Sequence, residues 1–370
     1  MSHINELHTP AFLVDMDKVE KNIAAMASLC KQNGKKLCPM VKTHKSAQLA
    51  AMQAAAGVDG FLAGTLDEAE MLAAQGHQEV VLAYPVAAVE NISRVITLAQ
   101  KTRVVLSLDG FEAAAAIEAQ LAPANLILDY LIIIDCGLGR FGVQPEQAAA
   151  LAAALQPLAH LRFKGIGTHP GHVYGKSDMA GVAAVAAEEV KAVETAAALL
   201  TAAGFSPAVV ATGSTPTAAL AAKSSVITTL RPGNYVFHDA IQVALGVVPA
   251  EQCALSVLAT VIANPRPGLF MIDAGSKCFG LDKGAHGVAL LNGFGLVKGH
   301  PELVLEGLSE EVGKLRTAGE TTIAIGDKIE IIPNHSCSSA NMTSFLVCHR
   351  GGAVEGSLAI DARSSSRRQG

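Results

Sequence analysis

The chain has 370 residues, half of them apolar and 16% charged, with a formal net charge of −5. That length accommodates a large domain plus a smaller one and a sizeable core. The mild acidity offers no basic surface for nucleic acid, and no apolar run is long and unbroken enough to span a bilayer.

The start, MSHINELHTPAF, has neither a basic n-region nor an apolar h-segment, so a cytoplasmic protein is expected. Short apolar runs then alternate with alanine-rich helical segments. Strands are predicted at KLCPMVK, VDGFLAG, EVVLAYP, RVVLSLD, YLIIIDC, FKGIGTH, PAVVATG and VITTLRP. Helices are predicted between them at 46–56, 66–75, 87–100, 111–120, 145–156 and 178–203. Strands alternating with helices imply parallel pairing, and near-continuous apolar strands imply burial on both faces. Eight such units imply a closed, TIM-like (β/α)8 barrel over 12–245. After about residue 250, ALSVLATVIA, GLFMIDAG, DKIEIIP and TSFLVCHRGG read as strands separated by turns, with one short helix near 301–314. Residues 1–11 and 246–370 are therefore assigned to a second, mostly β domain. The tail ARSSSRRQG has the composition of a disordered segment. The seven cysteines are odd in number and scattered, and Cys136, Cys253 and Cys348 sit in apolar runs. Reduced thiols fit this better than a disulfide framework.

In such a barrel the chemistry sits at the C-terminal ends of the strands. The stretch CPMVKTHKS places Lys42, His44 and Lys45 within four residues, directly after an apolar run. A lysine at a poorly hydrated position is either paired or engaged in amine chemistry. Lys42 is the candidate nucleophile, and Lys45 reads equally well as a surface lysine capping a strand. The later strand ends carry DCGLGRFG, THPGHVY, TGSTPT and RPGNY. Gly137, Gly139 and Gly142 form G-x-G-x-x-G, but the next strand ends KGIGTH without the carboxylate of a dinucleotide site. The glycines are read instead as a tight turn that presents Arg140. In GSTPT and PGNY, small residues let backbone amides approach an anion and hydroxyls add donors, in the usual position of a barrel phosphate site. In the second domain, IIPNHSC places His335 and Cys337 two apart, a spacing that lets both point to one side of a strand end and share a divalent metal.

Together VKTHK, IDCGLGRFGV, THPGHVY, GSTPT, RPGNYVF, DAGSK and PNHSC, in this order over nearly the whole chain, resemble the D-serine dehydratase / D-threonine aldolase family. The resemblance implies an alanine-racemase-like barrel of the fold-type III class that uses pyridoxal 5'-phosphate. By it, Lys42 carries the cofactor covalently, Arg140 approaches its ring, His169 stacks on that ring and Tyr174 is a nearby polar contact. Gly213, Ser214, Thr215, Gly233 and Asn234 resemble the phosphate cradle, and His335 with Cys337 the metal pair. A thiolate beside an imidazole favours zinc over manganese or magnesium. The implied activity is elimination on a D-3-hydroxy amino acid, as in D-serine ammonia-lyases, to a 2-oxo acid and ammonia. The alternatives are retro-aldol cleavage to glycine and an aldehyde, and a non-catalytic cofactor-binding protein. A homodimer is expected from the same resemblance. One departure stands out: relatives commonly read Arg-Pro-His before the lysine motif, where this chain has Cys38, Pro39 and Met40.

Overall fold

The structure, a computed structural model, describes residues 2–285 and 289–363. It opens with β1 (Ala11–Asp15) and α1 (Met16–Gln32), whose N-cap Asp15 accepts a hydrogen bond from the Lys18 amide at 3.3 Å. Strands and helices then alternate through β2 (Lys36–Leu37), α2 (Ala47–Ala55), β3 (Phe61–Ala63), α3 (Leu66–Ala74), β4 (Glu79–Leu82), α4 (Val89–Ala99), β5 (Arg103–Leu108) and α5 (Phe111–Ala124). The series continues with β6 (Leu128–Ile133), α6 (Ala148–Leu155), β7 (Leu161–Gly167), α7 (Met179–Ala202), β8 (Val209–Thr212), α8 (Ala218–Ala221) and β9 (Thr229–Leu230). These are the eight strands expected from the sequence. They pair in parallel in the order β2-β9-β8-β7-β6-β5-β4-β3, and a parallel bridge between Met40 and Leu62 joins the two ends of that order.

The residue pattern explains the layering. Five of the six residues of β5 are buried, as a strand covered by helices outside and side chains inside must be. Outside, α4 turns Ile92, Val95 and Leu98 toward the sheet, the spacing of one helical face. Inside, Cys38, Met40, Leu62, Val81, Val105 and Leu131 form a small cluster of their own. Among the described residues no helix is long and apolar enough to cross a membrane, and all seven cysteines carry free thiols.

The chain leaves the barrel through α9 (Ala240–Ala244) and enters β10 (Leu255–Arg266), β11 (Leu269–Ile272), α10 (Ser276–Phe279), β12 (Gly295–Val297), β13 (Val304–Leu308) and β14 (Gly313–Arg316). It ends in β15 (Lys328–Pro333), α11 (Ser336–Ala340), β16 (Phe345–Arg350) and β17 (Ala353–Ala359). The nine-stranded sheet runs β11-β14-β13-β12-β15-β10-β1-β16-β17, with β10 pairing β11 as well. Three details differ from the sequence reading. First, the division expected between residues 11 and 12 falls later, because β1 pairs antiparallel with β10 and parallel with β16 and so belongs to the second sheet. Second, the helix expected near 301–314 is the antiparallel hairpin β13–β14, with Leu305 opposite Leu315. Both leucines are fully buried, while Lys314 and Arg316 between and beyond them are exposed. That two-residue alternation against a sheet core overrides the helical propensity of a Glu- and Leu-rich segment. Third, the tail expected to be disordered starts ordered: the Ala362 amide donates to the Lys45 carbonyl at 3.0 Å, and Arg363 Nε donates to the Asn341 carbonyl at 3.0 Å. The rest of that tail, 364–370, lies outside the described residues.

Candidate active site

The three basic side chains of VKTHK go to three different places. After β2 the chain bridges to β3 at Met40 and tightens into a 3-10 turn over Val41–Thr43, which carries Lys42. Lys42 is half-buried and its Nζ donates to the Tyr84 hydroxyl at 3.4 Å. His44 is fully buried between Gln53 and the Ser46 amide, and burial pushes its imidazole down to about 4, against the pull of both hydrogen bonds. It is therefore neutral. Lys45 is only 8% exposed and pairs with the fully buried Glu68 at 3.1 Å, whose other oxygen accepts from the Gly64 amide at 2.6 Å. The surface-cap reading of Lys45 is thus corrected: it is half of an interior ion pair. Removing one partner of such a pair leaves an uncompensated charge. Glu68→Ala is expected to destabilise the fold by about 3–5 kcal/mol, read as a lowered denaturant midpoint, and a change within 0.5 kcal/mol would refute the pairing.

All eleven residues expected at the site line one cavity at the C-terminal ends of the barrel strands, with about 800 Å³ of atom-free space. The loop after β6 is held by Asp135, whose Oδ1 accepts from the amides of Gly137 at 2.9 Å and Gly139 at 3.1 Å. Gly142 has φ +101°, and a Cβ there would lie 2.8 Å from the Asp135 nitrogen. The turn presents an exposed Arg140, whose guanidinium lies 5.3 Å from the ring centroids of both Tyr84 and Phe141. After β7, His169 Nδ1 donates to the Gly213 carbonyl at 2.6 Å, which fixes the orientation of the ring. Tyr174 lies with its hydroxyl 3.5 Å from Ser214 Oγ, and burial raises its phenol well above the ordinary range.

The expected phosphate cradle is assembled by the ends of β8 and β9. A Cβ at Gly213 would come within 2.5 Å of the Arg231 backbone, so only glycine lets these two strand ends approach. Thr215 Oγ1 accepts from the Tyr235 amide at 3.1 Å, a bond that leaves its own O–H available as a donor. Asn234 behaves differently from a simple anion donor. Its Nδ2 donates to Asp239 Oδ2 at 2.6 Å and to Ser336 Oγ at 2.9 Å, while its buried Oδ1 has no hydrogen-bond partner among the described residues.

His335 and Cys337 reach the same cavity from the second domain. They sit not on a strand end but at the N-cap and second residue of α11, two residues beyond β15, so a helical turn rather than strand alternation gathers them. The Thr43 hydroxyl lies 3.2 Å from the Cys337 sulfur. Burial acts to raise the Cys337 thiol, but the His335 imidazolium beside it and then the Lys42 ammonium hold it below the ordinary value. Burial likewise acts to lower His335, yet the Cys337 thiolate outweighs it and holds the imidazole up at about 9. Each side chain thus favours the charged form of the other, a thiolate beside an imidazolium. Among the described residues no cluster of three or more His, Cys, Asp and Glu that could hold a metal forms.

Two contributors escaped the sequence reading. Tyr84 was only one strand end among eight, and its contact with Lys42 spans 42 residues. Arg231 lies inside the barrel mouth, donates from its NH2 nitrogen to the Thr168 carbonyl at 2.9 Å, and has a buried Nε without a partner among the described residues. In the sequence RPGNY reads as a turn, and nothing local marks the arginine that opens it. The departure at residues 38 and 40 resolves into two levels: Met40 lines the site, whereas Cys38 is buried below it, facing a second cavity on the far side of Arg231.

Comparison with known proteins shows the family and the fold. Residues 14–240 match the alanine racemase N-terminal domain family, and residues 254–349 match a serine dehydratase domain. The chain is 34% identical to D-threo-3-hydroxyaspartate dehydratase from Delftia sp. (strain HT23), covering 94% of this chain and 96% of that protein. The solved structure of that dehydratase aligns with a TM-score of 0.89 over 97% of this chain and 99% of that chain. It has also been solved as a histidine-to-alanine variant and, two positions later, as a cysteine-to-alanine variant in a metal-free form. D-threonine aldolase from Filomicrobium marinum aligns with a TM-score of 0.89 at 27% identity, over 97% of this chain and 96% of that one. D-serine dehydratase from Dictyostelium discoideum is 27% identical, covering 92% of this chain and 93% of that protein.

Proposed function

The chain belongs to the family in which an alanine racemase N-terminal barrel is joined to a D-serine dehydratase domain, and from that premise we propose a pyridoxal-phosphate- and metal-dependent lyase that eliminates water from D-3-hydroxy amino acids. The cavity fits the cofactor by its own chemistry. Lys42, Arg140 and Arg231 line it, and among the described residues that line it there is no Asp or Glu. Such a pocket suits a phosphate dianion together with a substrate carboxylate. Ser214 and Thr215 would hold the phosphate with hydroxyl and backbone donors, and His169, its orientation fixed by the Gly213 carbonyl, would support the ring.

When bound, pyridoxal phosphate supplies an aldehyde carbon for an amine and a ring that takes up charge developing at the substrate's α-carbon. Lys42 is then the residue that moves the α-proton at its Nζ, with the Tyr84 hydroxyl 3.4 Å away to orient it. His335 and Cys337 would hold a divalent ion, proposed as zinc, which would supply Lewis acidity for departure of the β-hydroxyl. The α-proton and the hydroxyl leave together as water, and hydrolysis of the unsaturated amine gives the 2-oxo acid and ammonia.

The observation that carries dehydration over cleavage is the thiolate-containing pair itself. His-x-Cys resembles the dehydratases and His-x-Asp the aldolases, and the Delftia dehydratase structures alter a histidine and a cysteine at the same spacing. The metal pair facing the same cavity as Lys42 also argues against a non-catalytic carrier. Incubated with D-serine and D-threonine, the purified protein is expected to release pyruvate and 2-oxobutanoate with ammonia. Glycine from D-threonine in excess of 2-oxobutanoate would reverse the assignment to an aldolase.

A further inference from the structure

Between the barrel and the second domain lies a buried carboxyl to which the chemistry above gives no role. Asp239 is 1% exposed and caps α9, its Oδ1 accepting from the Gln242 amide at 3.1 Å. Its Oδ2 does more than a cap requires. It accepts from Asn234 Nδ2 at 2.6 Å, from the Ser336 amide at 3.0 Å and from Ser336 Oγ at 3.3 Å. Asn234 follows Gly233 in the cradle loop, and Ser336 is the residue between His335 and Cys337. One oxygen therefore joins the expected anion loop to the expected metal loop. Parallel ties run beside it: Asn234 Nδ2 donates to Ser336 Oγ at 2.9 Å, and the Ile241 amide donates to the Asn334 carbonyl at 3.2 Å. The Thr43 hydroxyl, next to Lys42, closes the ring of contacts at Cys337.

We infer that Asp239 is a positioning residue that makes the cofactor and metal sites one cooperative unit, each ligand ordering through Asp239 the loop that the other needs. The inference rests on the proposed cofactor- and metal-dependent function. The physical basis is that hydrogen bonds buried inside the protein are directional and poorly replaced by water. An anion in the cradle meets the backbone of the Gly233–Asn234 turn, because the Asn234 side-chain amide is already committed; fixing that backbone fixes Asn234 against Asp239, and Asp239 fixes the Ser336 backbone that sets the separation of the two expected metal ligands. Coupling of this kind is reciprocal.

The test is the zinc affinity of the wild-type protein, by competition with a chromophoric chelator, with and without bound pyridoxal phosphate. Zinc is expected to bind about five-fold or more tightly to the cofactor-loaded protein, and pyridoxal phosphate, followed by its absorbance, to gain the same factor from zinc. In Asp239→Ser, whose shorter hydroxyl keeps the cap of α9 but does not span to Asn234 and Ser336, both factors are expected to fall to within about two-fold of unity. Equal zinc affinity in loaded and cofactor-free wild type overturns the inference and leaves the proposed function standing. Undiminished coupling in Asp239→Ser also overturns it. Failure of the wild type to bind zinc at all removes both.

Discussion

Replacing Lys42 by alanine is expected to lower turnover of D-3-hydroxy amino acids by about 10³-fold or more, because the cavity amine proposed to accept and return the α-proton is lost. The structure singles out this lysine among three neighbouring basic residues. His44 is buried and neutral, and Lys45 is committed to Glu68, so Lys42 is the member of the group whose amine opens into the cavity. A chemical readout separates this expectation from simple loss of activity. Borohydride reduction of the cofactor-loaded wild type is expected to leave a pyridoxyl mass increment on the peptide holding Lys42 and none on the corresponding peptide of Lys42→Ala. An increment found on Lys45 instead would show that the two lysines have been assigned the wrong way round.

Cys337→Ser is expected to strip the metal and reduce turnover by about 10²-fold or more, since Lewis-acid stabilisation at a departing hydroxyl is worth several kcal/mol. The hydroxyl of serine ionises far less readily than a thiol that His335, Lys42 and Thr43 already help to ionise, so the substitution removes the anionic ligand as well as the soft one. Metal analysis of the purified variant is expected to find the ion lost, with the cofactor still loaded when supplied at saturation. Chelator treatment of the wild type should reproduce the defect. Added zinc should restore the wild type but not the variant. Full metal content with full activity in Cys337→Ser would mean that the pair serves only the packing of α11.

Much of this site was legible in the sequence because the (β/α)8 architecture converts a one-dimensional reading into a three-dimensional one. Once eight strands are recognised, their C-terminal ends must converge, and Lys42, Arg140, His169, Gly213, Ser214, Thr215, Gly233 and Asn234 all follow such ends. Their meeting in one cavity required no knowledge of side-chain packing. Residue type and separation made His335 and Cys337 a candidate ligand pair, the family resemblance supplied the metal, and a turn of α11 rather than a strand brings the two together.

What lay beyond the sequence depends on contacts between distant segments. The buried hydroxyl of one loop and the thiol of another meet 294 residues apart at Thr43 and Cys337, and Asp239 reaches Ser336 across 97 residues. No local periodicity records such pairs. The same limit explains β13 and β14, where burial of Leu305 and Leu315 against a sheet outweighs local helical preference, and β1, whose partners come from the other end of the chain. Composition and strand rhythm by themselves determined the barrel and which residues lie at its C-terminal rim, because periodic burial is written locally along each element. Only the tertiary structure decided which of three neighbouring cations faces the cavity and which polar groups brace the two ligand loops. Burial and pairing at Lys42, His44, Lys45, Asn234 and Asp239 are properties of the neighbours that folding brings together.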